Sequence, residues 1–366
     1  MSTGKCMPLC WRKPSLNMKW LIYFTMKHII LLLFLFILEL VYLKIATKCN
    51  IIDKPNPRSS HKKAVLRGGG IIILLGVWIF SYMDTADYTF FVIGMTLISI
   101  IAFWDDVHSL SPRLRFLIQF VAMALLLREV EMFQGSNVWY VLPVLVLGVC
   151  IINAYNFMDG INGITGAYSL MVLFSFWLLN RKMAYIDATL IEILMIAAFV
   201  FCLFNFRNKA ICFAGDVGSV GIAYCIIFVL LKLILYTGDI TYLIFLVVYG
   251  IDTLCTIIHR IILHENLLQP HRKHLFQLLV NEGNLSHVVV ASIYVVLQFA
   301  ISLGYIYLPI NRWVYVTIVV VVLGMIYLLI EQKLYPLHKI YLEQLSNTSY
   351  VGNAINSKIN LYENKK

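Results

Sequence analysis

Apolar stretches of about 17–25 residues recur along the whole of this 366-residue chain, and each is long enough to cross a bilayer as a helix. Only 13% of the residues are charged, against roughly a quarter in soluble domains, so the chain reads as an integral membrane protein before any motif is considered. Lipid offers the backbone no hydrogen-bonding partner, which leaves helices as the economical way to span. Eleven spans are expected, over 28–46, 68–83, 88–104, 115–130, 138–155, 163–180, 186–206, 217–236, 240–263, 288–309 and 313–332. The fold class is therefore all-α and polytopic. A basic tail is expected over 1–27, a transmembrane domain over 28–332 and a fraying tail over 333–366, with no soluble domain or internal repeat.

Loop parity then fixes where chemistry can sit. The loops 47–67, 105–114, 156–162, 207–216 and 264–287 share one side of the membrane. Lys and Arg concentrate in them, whereas the opposite ends carry little beyond Arg128, Arg181, Lys182 and Arg312. The positive-inside rule makes the shared side cytoplasmic, with the N-terminus out and the C-terminus in. The five basic residues Lys5, Arg12, Lys13, Lys19 and Lys27 argue against that N-terminal placement, and a start at Met18 or Met26 removes most of the conflict. The eight cysteines form no CxxC pair and have no His at zinc spacing, so they read as packing thiols.

Acidic residues accumulate at the heads of these loops, where carboxylates are costly without a partner. Asp105 and Asp106 are adjacent and repel, so their surroundings must supply a cation: a divalent metal, or Arg113 and Arg115 beyond Pro112. Asn153, Asn156 and Asp159 are three apart and share a face if the fifth span stays helical, offering hard oxygens to a metal or a sugar. Asp216, in the run FAGDVGS at 213–219, opens the eighth span as a helix cap, a site residue, or both. Arg58, His61 and Arg67 in the first loop suit a phosphate, as do His271, Arg272 and His274 in the run HRKH. Asp252, inside the ninth span, faces a cavity or orients His259 and Arg260; Glu39 and Lys232 read as structural.

Five runs in this order resemble the polyprenyl-phosphate N-acetylhexosamine-1-phosphate transferases: DKPNPRSSH with RGGG, DDVHSLSPRLRFLIQ, NAYNFMDGINGITG, FAGDVGS and HRKHLFQ, between about residues 50 and 280. The resemblance implies transfer of a sugar 1-phosphate from a UDP-N-acetylhexosamine to undecaprenyl phosphate with release of UMP. The enzyme would need Mg²⁺, with Mn²⁺ as a substitute, and its site would face the cytoplasm from a bacterial inner membrane. It further implies that Asp216 is the principal metal ligand and that Asp105 meets the lipid phosphate, with Asp106 helping to place metal or acceptor. Asn153, Asn156 and Asp159 would place nucleotide and metal. Arg58, His61, Arg67 and Arg113 would meet phosphate, and His271, Arg272 and His274 would grip the diphosphate and sugar.

Two departures narrow this. Asn162 stands where many bacterial members have a second aspartate, and HRKH replaces the triple histidine of the peptidoglycan translocase. Asn162 speaks against a metal or proton role at its position, while HRKH and the first loop's RSSH with RGGG look more like the branch that initiates O-antigen and capsule, with GlcNAc 1-phosphate as the default transferred group. Direct attack and a covalent aspartyl intermediate both stay open. The rival of another class is a polytopic transporter with an acidic cation site, which predicts acids within spans. The bilayer and the two substrates are the expected partners and nucleic acid is not; a homodimer is left open by the featureless lipid-facing surface.

Overall fold

The structure, a computed structural model, describes residues 18–55, 63–83, 87–267 and 271–363. Its helices are α1 (Met18–Lys48), α2 (Ile71–Tyr82), α3 (Thr89–Val107), α4 (Pro112–Glu129), α5 (Val141–Met158), α6 (Ile164–Met183) and α7 (Ala188–Asn205). There follow α8 (Gly215–Thr237), α9 (Val247–Ile262), α10 (Leu275–Asn281), α11 (His287–Tyr307) and α12 (Arg312–Glu363). A two-residue ribbon, β1 (Ile52–Asp53) antiparallel to β2 (Val65–Leu66), lies between α1 and α2. Every expected span coincides with a helix, and α10 is an addition inside the 264–287 loop. Among the described residues eight helical segments have the length and apolarity of a membrane span. The short α2, the arginine-bearing α4 and the more polar α6 fall outside that set.

Several helix starts follow from local chemistry. Ser111 Oγ accepts the Leu114 N–H just before Pro112, and Ser286 Oγ accepts the Val289 N–H at the head of α11. Asp187 caps α7 through the Thr189 N–H.

Two boundaries differ from expectation. Helix α1 begins ten residues early, at Met18 rather than 28, because the apolar run Trp20–Phe24 extends it. The tail over 333–366 does not fray at its start: α12 runs straight through Pro336 to Glu363. It holds because residues beyond the apolar stretch find partners. Glu331 pairs with His259, the Tyr335 ring lies 4.4 Å from that of His259, and the buried His338 bonds Glu282 at 2.8 Å.

Helix α8 is the hub, with α2, α3, α5 and α6 packed on it and nearly every residue from Val217 to Leu231 buried. Small residues let its neighbours approach closely, as in other membrane bundles. At the tightest crossing a Cβ on Gly70 would sit 2.2 Å from Gly218 Cα, and one on Gly218 would sit 2.6 Å from Gly70 Cα. Either alanine must therefore force backbone from backbone. Gly70→Ala or Gly218→Ala is expected to cost about 3 kcal/mol, at the upper end of overpacking losses, seen as a lower unfolding temperature in detergent. Gly250→Ala, with nothing within 4 Å of the added methyl, should be neutral or slightly stabilising.

Candidate active site

The end of α3 meets the beginning of α8. Gly215 turns the chain with φ +70°, and a Cβ there would fall 2.3 Å from Asp106 Oδ2, so only glycine fits. Asp106 then accepts the N–H groups of Asp216 at 2.9 Å and Val217 at 3.2 Å. A carboxylate from one helix thus caps the positive end of another. Its side chain is wholly buried, and Arg67 Nε lies 2.7 Å from Oδ1.

Arg67 is carried to this point by β2. Phe213 N–H donates to Leu66 O at 2.8 Å, Gly69 N–H to Phe213 O at 2.9 Å and Gly70 N–H to Ala214 O at 3.0 Å. Those bonds lace the first loop to the segment leading into α8. The guanidinium bridges onward, with Nη2 3.1 Å from Asp216 Oδ1. Asp216 Oδ2 is in turn 3.1 Å from Arg115 Nη1, which lies 2.6 Å from Asp105 Oδ2. Asp105 Oδ1 accepts the Leu110 N–H at 2.6 Å. The result is an alternating chain, Asp106–Arg67–Asp216–Arg115–Asp105, of three carboxylates against two guanidiniums. Burial pulls the Arg67 pKa down, but Asp106, Asp216 and Asp53 together outweigh it and raise the group above its ordinary value.

The last turns of α5 form the facing wall. Asn153 Nδ2 donates to Gln119 Oε1 at 2.7 Å, and Asn156 Oδ1 accepts the Ser219 hydroxyl at 2.8 Å. A cleft opens between Arg115, Gln119, Asn153, Asn156 and Asp216, with Ile101 on its apolar side. Asp159 follows directly after α5. Burial pushes its carboxyl up to about 6 and the nearby Asp216 charge adds to this, while Thr165 and Arg67 oppose. Asn162 donates through Nδ2 to Arg207 O at 2.9 Å and Asn208 O at 3.2 Å. An ionised aspartate has no donor for those carbonyls, so the departure from the expected acid locks a loop.

The HRKH segment packs against the same run: a Cβ on Gly160 would meet the Phe276 ring at 2.9 Å, and the His271 ring lies 6.5 Å from Phe157. Its two cations are spoken for. Arg272 pairs with Glu282 at 3.0 Å beneath the Tyr341 ring at 4.4 Å, and Lys273 pairs with Glu265, which Arg260 also contacts at 3.3 Å. Burial, reinforced by His274, Arg260 and Lys273, pulls the His271 imidazole down to about 3, so it is neutral at physiological pH. Within this segment, and counting partners among the described residues, the side-chain atoms left buried without a hydrogen bond are His271 Nδ1, His274 Nε2 and Arg272 Nε.

The structure therefore brings Arg67, Asp105, Asp106, Asn153, Asn156, Asp159 and Asp216 to one end of the bundle, with His271 and His274 beside them. Arg58 and His61 lie outside the described residues. Arg113 is exposed, and its neighbour Arg115 is the residue that reaches the carboxylates. Arg115 and Gln119 are one helical turn apart on an otherwise apolar face, a spacing that could have singled them out. Glu39 is buried against Cys212 and Gly69, and Lys232 lies over the Tyr88 and Phe228 rings. Among the described residues no three Asp, Glu, His or Cys side chains form a ready metal cage. Mg²⁺ commonly takes one or two carboxylates together with substrate phosphates, and the mutually repelling pair Asp159 and Asp216 fits that demand.

Residues 88–234, which include both Asp105–Asp106 and Asp216, match the glycosyl transferase family 4 model. The chain is 26% identical to a protein of Bacillus subtilis named probable undecaprenyl-phosphate N-acetylglucosaminyl 1-phosphate transferase, over 88% of this chain and 97% of that protein. An undecaprenyl-phosphate alpha-N-acetylglucosaminyl 1-phosphate transferase of Yersinia pestis is 23% identical over 71% of this chain and 78% of its own. A phospho-N-acetylmuramoyl-pentapeptide-transferase of Thermotoga maritima is 26% identical over 44% of this chain and 58% of its own. The matched segment carries Asp105, Asp106, Arg115 and Asp216 of the carboxylate–arginine chain, with Arg67 preceding it, and over that segment the chain is similar to glycosyl transferase family 4.

Proposed function

We propose that the protein transfers an N-acetylhexosamine 1-phosphate, by default GlcNAc 1-phosphate, from a UDP-sugar to undecaprenyl phosphate, as a first membrane step of O-antigen or capsule synthesis. The observation that carries this reading is the alternating carboxylate–arginine chain beside Asp159 at one end of the bundle. Such a site suits two phosphate substrates that must be brought together against their own repulsion. The Bacillus subtilis and Yersinia pestis relatives named for N-acetylglucosaminyl 1-phosphate transfer match over more of this chain than the pentapeptide-transferase of Thermotoga maritima does, which favours an N-acetylhexosamine donor. The basic loops meet at the site end, and that supports placing it on the cytoplasmic face of a bacterial inner membrane.

In this reading an oxygen of the lipid phosphate attacks the sugar-bearing phosphorus of the donor, and the bond to UMP breaks. Direct displacement is favoured because the acid pair is already engaged. Asp106 is filled by two amides and Arg67, and Asp105 by an amide and Arg115. Arg115, the more exposed of the two arginines, is placed to exchange a carboxylate for an incoming phosphate. Asn153 and Asn156 line the narrow cleft beside Asp216 and would meet the donor at its edge. Mg²⁺ bound at Asp159 and Asp216 would supply screening of the phosphate charges.

Purified protein with Mg²⁺, undecaprenyl phosphate and a panel of UDP-sugars should release UMP from at least one N-acetylhexosamine donor; folded protein that releases none would sink the reading. Asp216→Asn should lower turnover by about 100-fold or more while the protein still purifies. Because Asp159 takes up a proton below about 6, turnover at subsaturating Mg²⁺ should fall as pH drops through that value and recover when Mg²⁺ is raised. A pH response indifferent to Mg²⁺ would remove Asp159 from the metal site.

A further inference from the structure

Asp252 is a carboxylate deep within a span that takes part in none of the contacts above. It sits on α9, 2% exposed, and turns toward neither His259 nor Arg260, which pair with Glu331 and Glu265. Instead it gathers the start of α10. Oδ1 accepts the Leu275 N–H at 3.0 Å and the Thr256 hydroxyl at 3.2 Å, and Oδ2 accepts the Phe276 N–H at 3.3 Å and the Tyr294 hydroxyl at 2.6 Å. His274 Nδ1 lies 3.2 Å from Oδ1. The Gln277 N–H donates both to the His274 side chain, closing a capping box, and to the His274 carbonyl at 2.9 Å, so Asp252 and the head of α10 together hold the Nδ1 edge of the ring.

This arrangement leaves one atom without a role. His274 is 2% exposed, its ring is stacked 5.7 Å from Phe276, and its Nε2 is buried with no hydrogen-bond partner. Burying a polar nitrogen unpaired is costly, and the cost is recovered where a ligand completes the bond. The same segment abuts Gly160, next to Asp159. Its own cations cannot serve a ligand freely, since Arg272 and Lys273 are paired with Glu282 and Glu265.

Resting on the transferase reading, we propose that Asp252 is a positioning residue: it holds the Nδ1 edge and so the ring plane of His274, so that Nε2 is the atom presented to the donor diphosphate. A buried carboxylate behind an imidazole performs this service in many sites, and removing such a partner commonly costs about 10–100-fold. Asp252 acts through His274 and touches no substrate itself.

The test is a double-mutant cycle on the full-length protein in lipid nanodiscs, reading turnover with the best UDP-sugar and unfolding temperature. Asp252→Asn and His274→Gln should each lower turnover about 10–100-fold. The double variant should be no worse than the poorer single one, because the two act as a unit. A merely structural Asp252 gives losses that multiply, and that result, or Asp252→Asn with wild-type turnover, overturns the proposal. Should Asp252→Asn fail to fold, Tyr294→Phe replaces it, removing one donor to the carboxylate. Its loss should vanish in the His274→Gln background, and a loss that persists overturns the proposal. Wild-type protein without turnover on any donor sinks the transferase reading instead. Titration of UDP onto the same proteins then decides the pairing: Asp252→Asn and His274→Gln must weaken binding equally and without further loss together, and any other pattern rejects it.

Discussion

The bond on which the site depends is the capping of α8 by a side chain from α3. Asp106 places a buried carboxylate under the free N–H groups of Asp216 and Val217. Without it, the positive end of the central helix would have no partner in an apolar surrounding. Arg67 closes the charge of Asp106 and so ties the first loop to the same point. Gly215 is the permission for this contact, since any side chain there would occupy the space of the carboxylate. One junction therefore aligns three sequence-distant segments, and the position of Asp216 follows from it.

Charge is divided unevenly around that junction. On one side, carboxylates and guanidiniums alternate, so each is partly neutralised by its neighbours. On the other, the basic HRKH segment has its Arg and Lys held by Glu282 and Glu265, and what it presents is imidazole. The long helix α12 contributes to this restraint through His338 and Tyr341. A segment that reads as a cationic grip is thus a braced scaffold for two histidines.

Much of this was legible beforehand, for a clear physical reason. Lipid forces helices, so hydropathy located most helical segments to within a few residues, α1 and α12 running well past their expected bounds, and parity put Asp105, Asp159, Asp216 and His274 at one end. What misled was proximity along the chain. Arg113 is nearer Asp105–Asp106 in sequence, but the first turn of α4 points Arg115 inward instead. Asp252 is closer in sequence to His259 and Arg260, yet it serves His274, 22 residues away. The extension of α12 was invisible because its stability comes from partners on other elements, and Pro336 by itself argued for a stop.

The sequence alone determined the class of protein, the side on which chemistry sits and the kinds of group available there. Those depend on length, apolarity and loop charge, which need no knowledge of neighbours. Only the tertiary structure decided which acid meets which arginine, that Asp106 is a cap, and that Arg272 and Lys273 are already paired. These are matters of a few ångströms between helices, set by where Gly70, Gly215 and Gly218 let backbones touch. No pattern within a single segment encodes such distances.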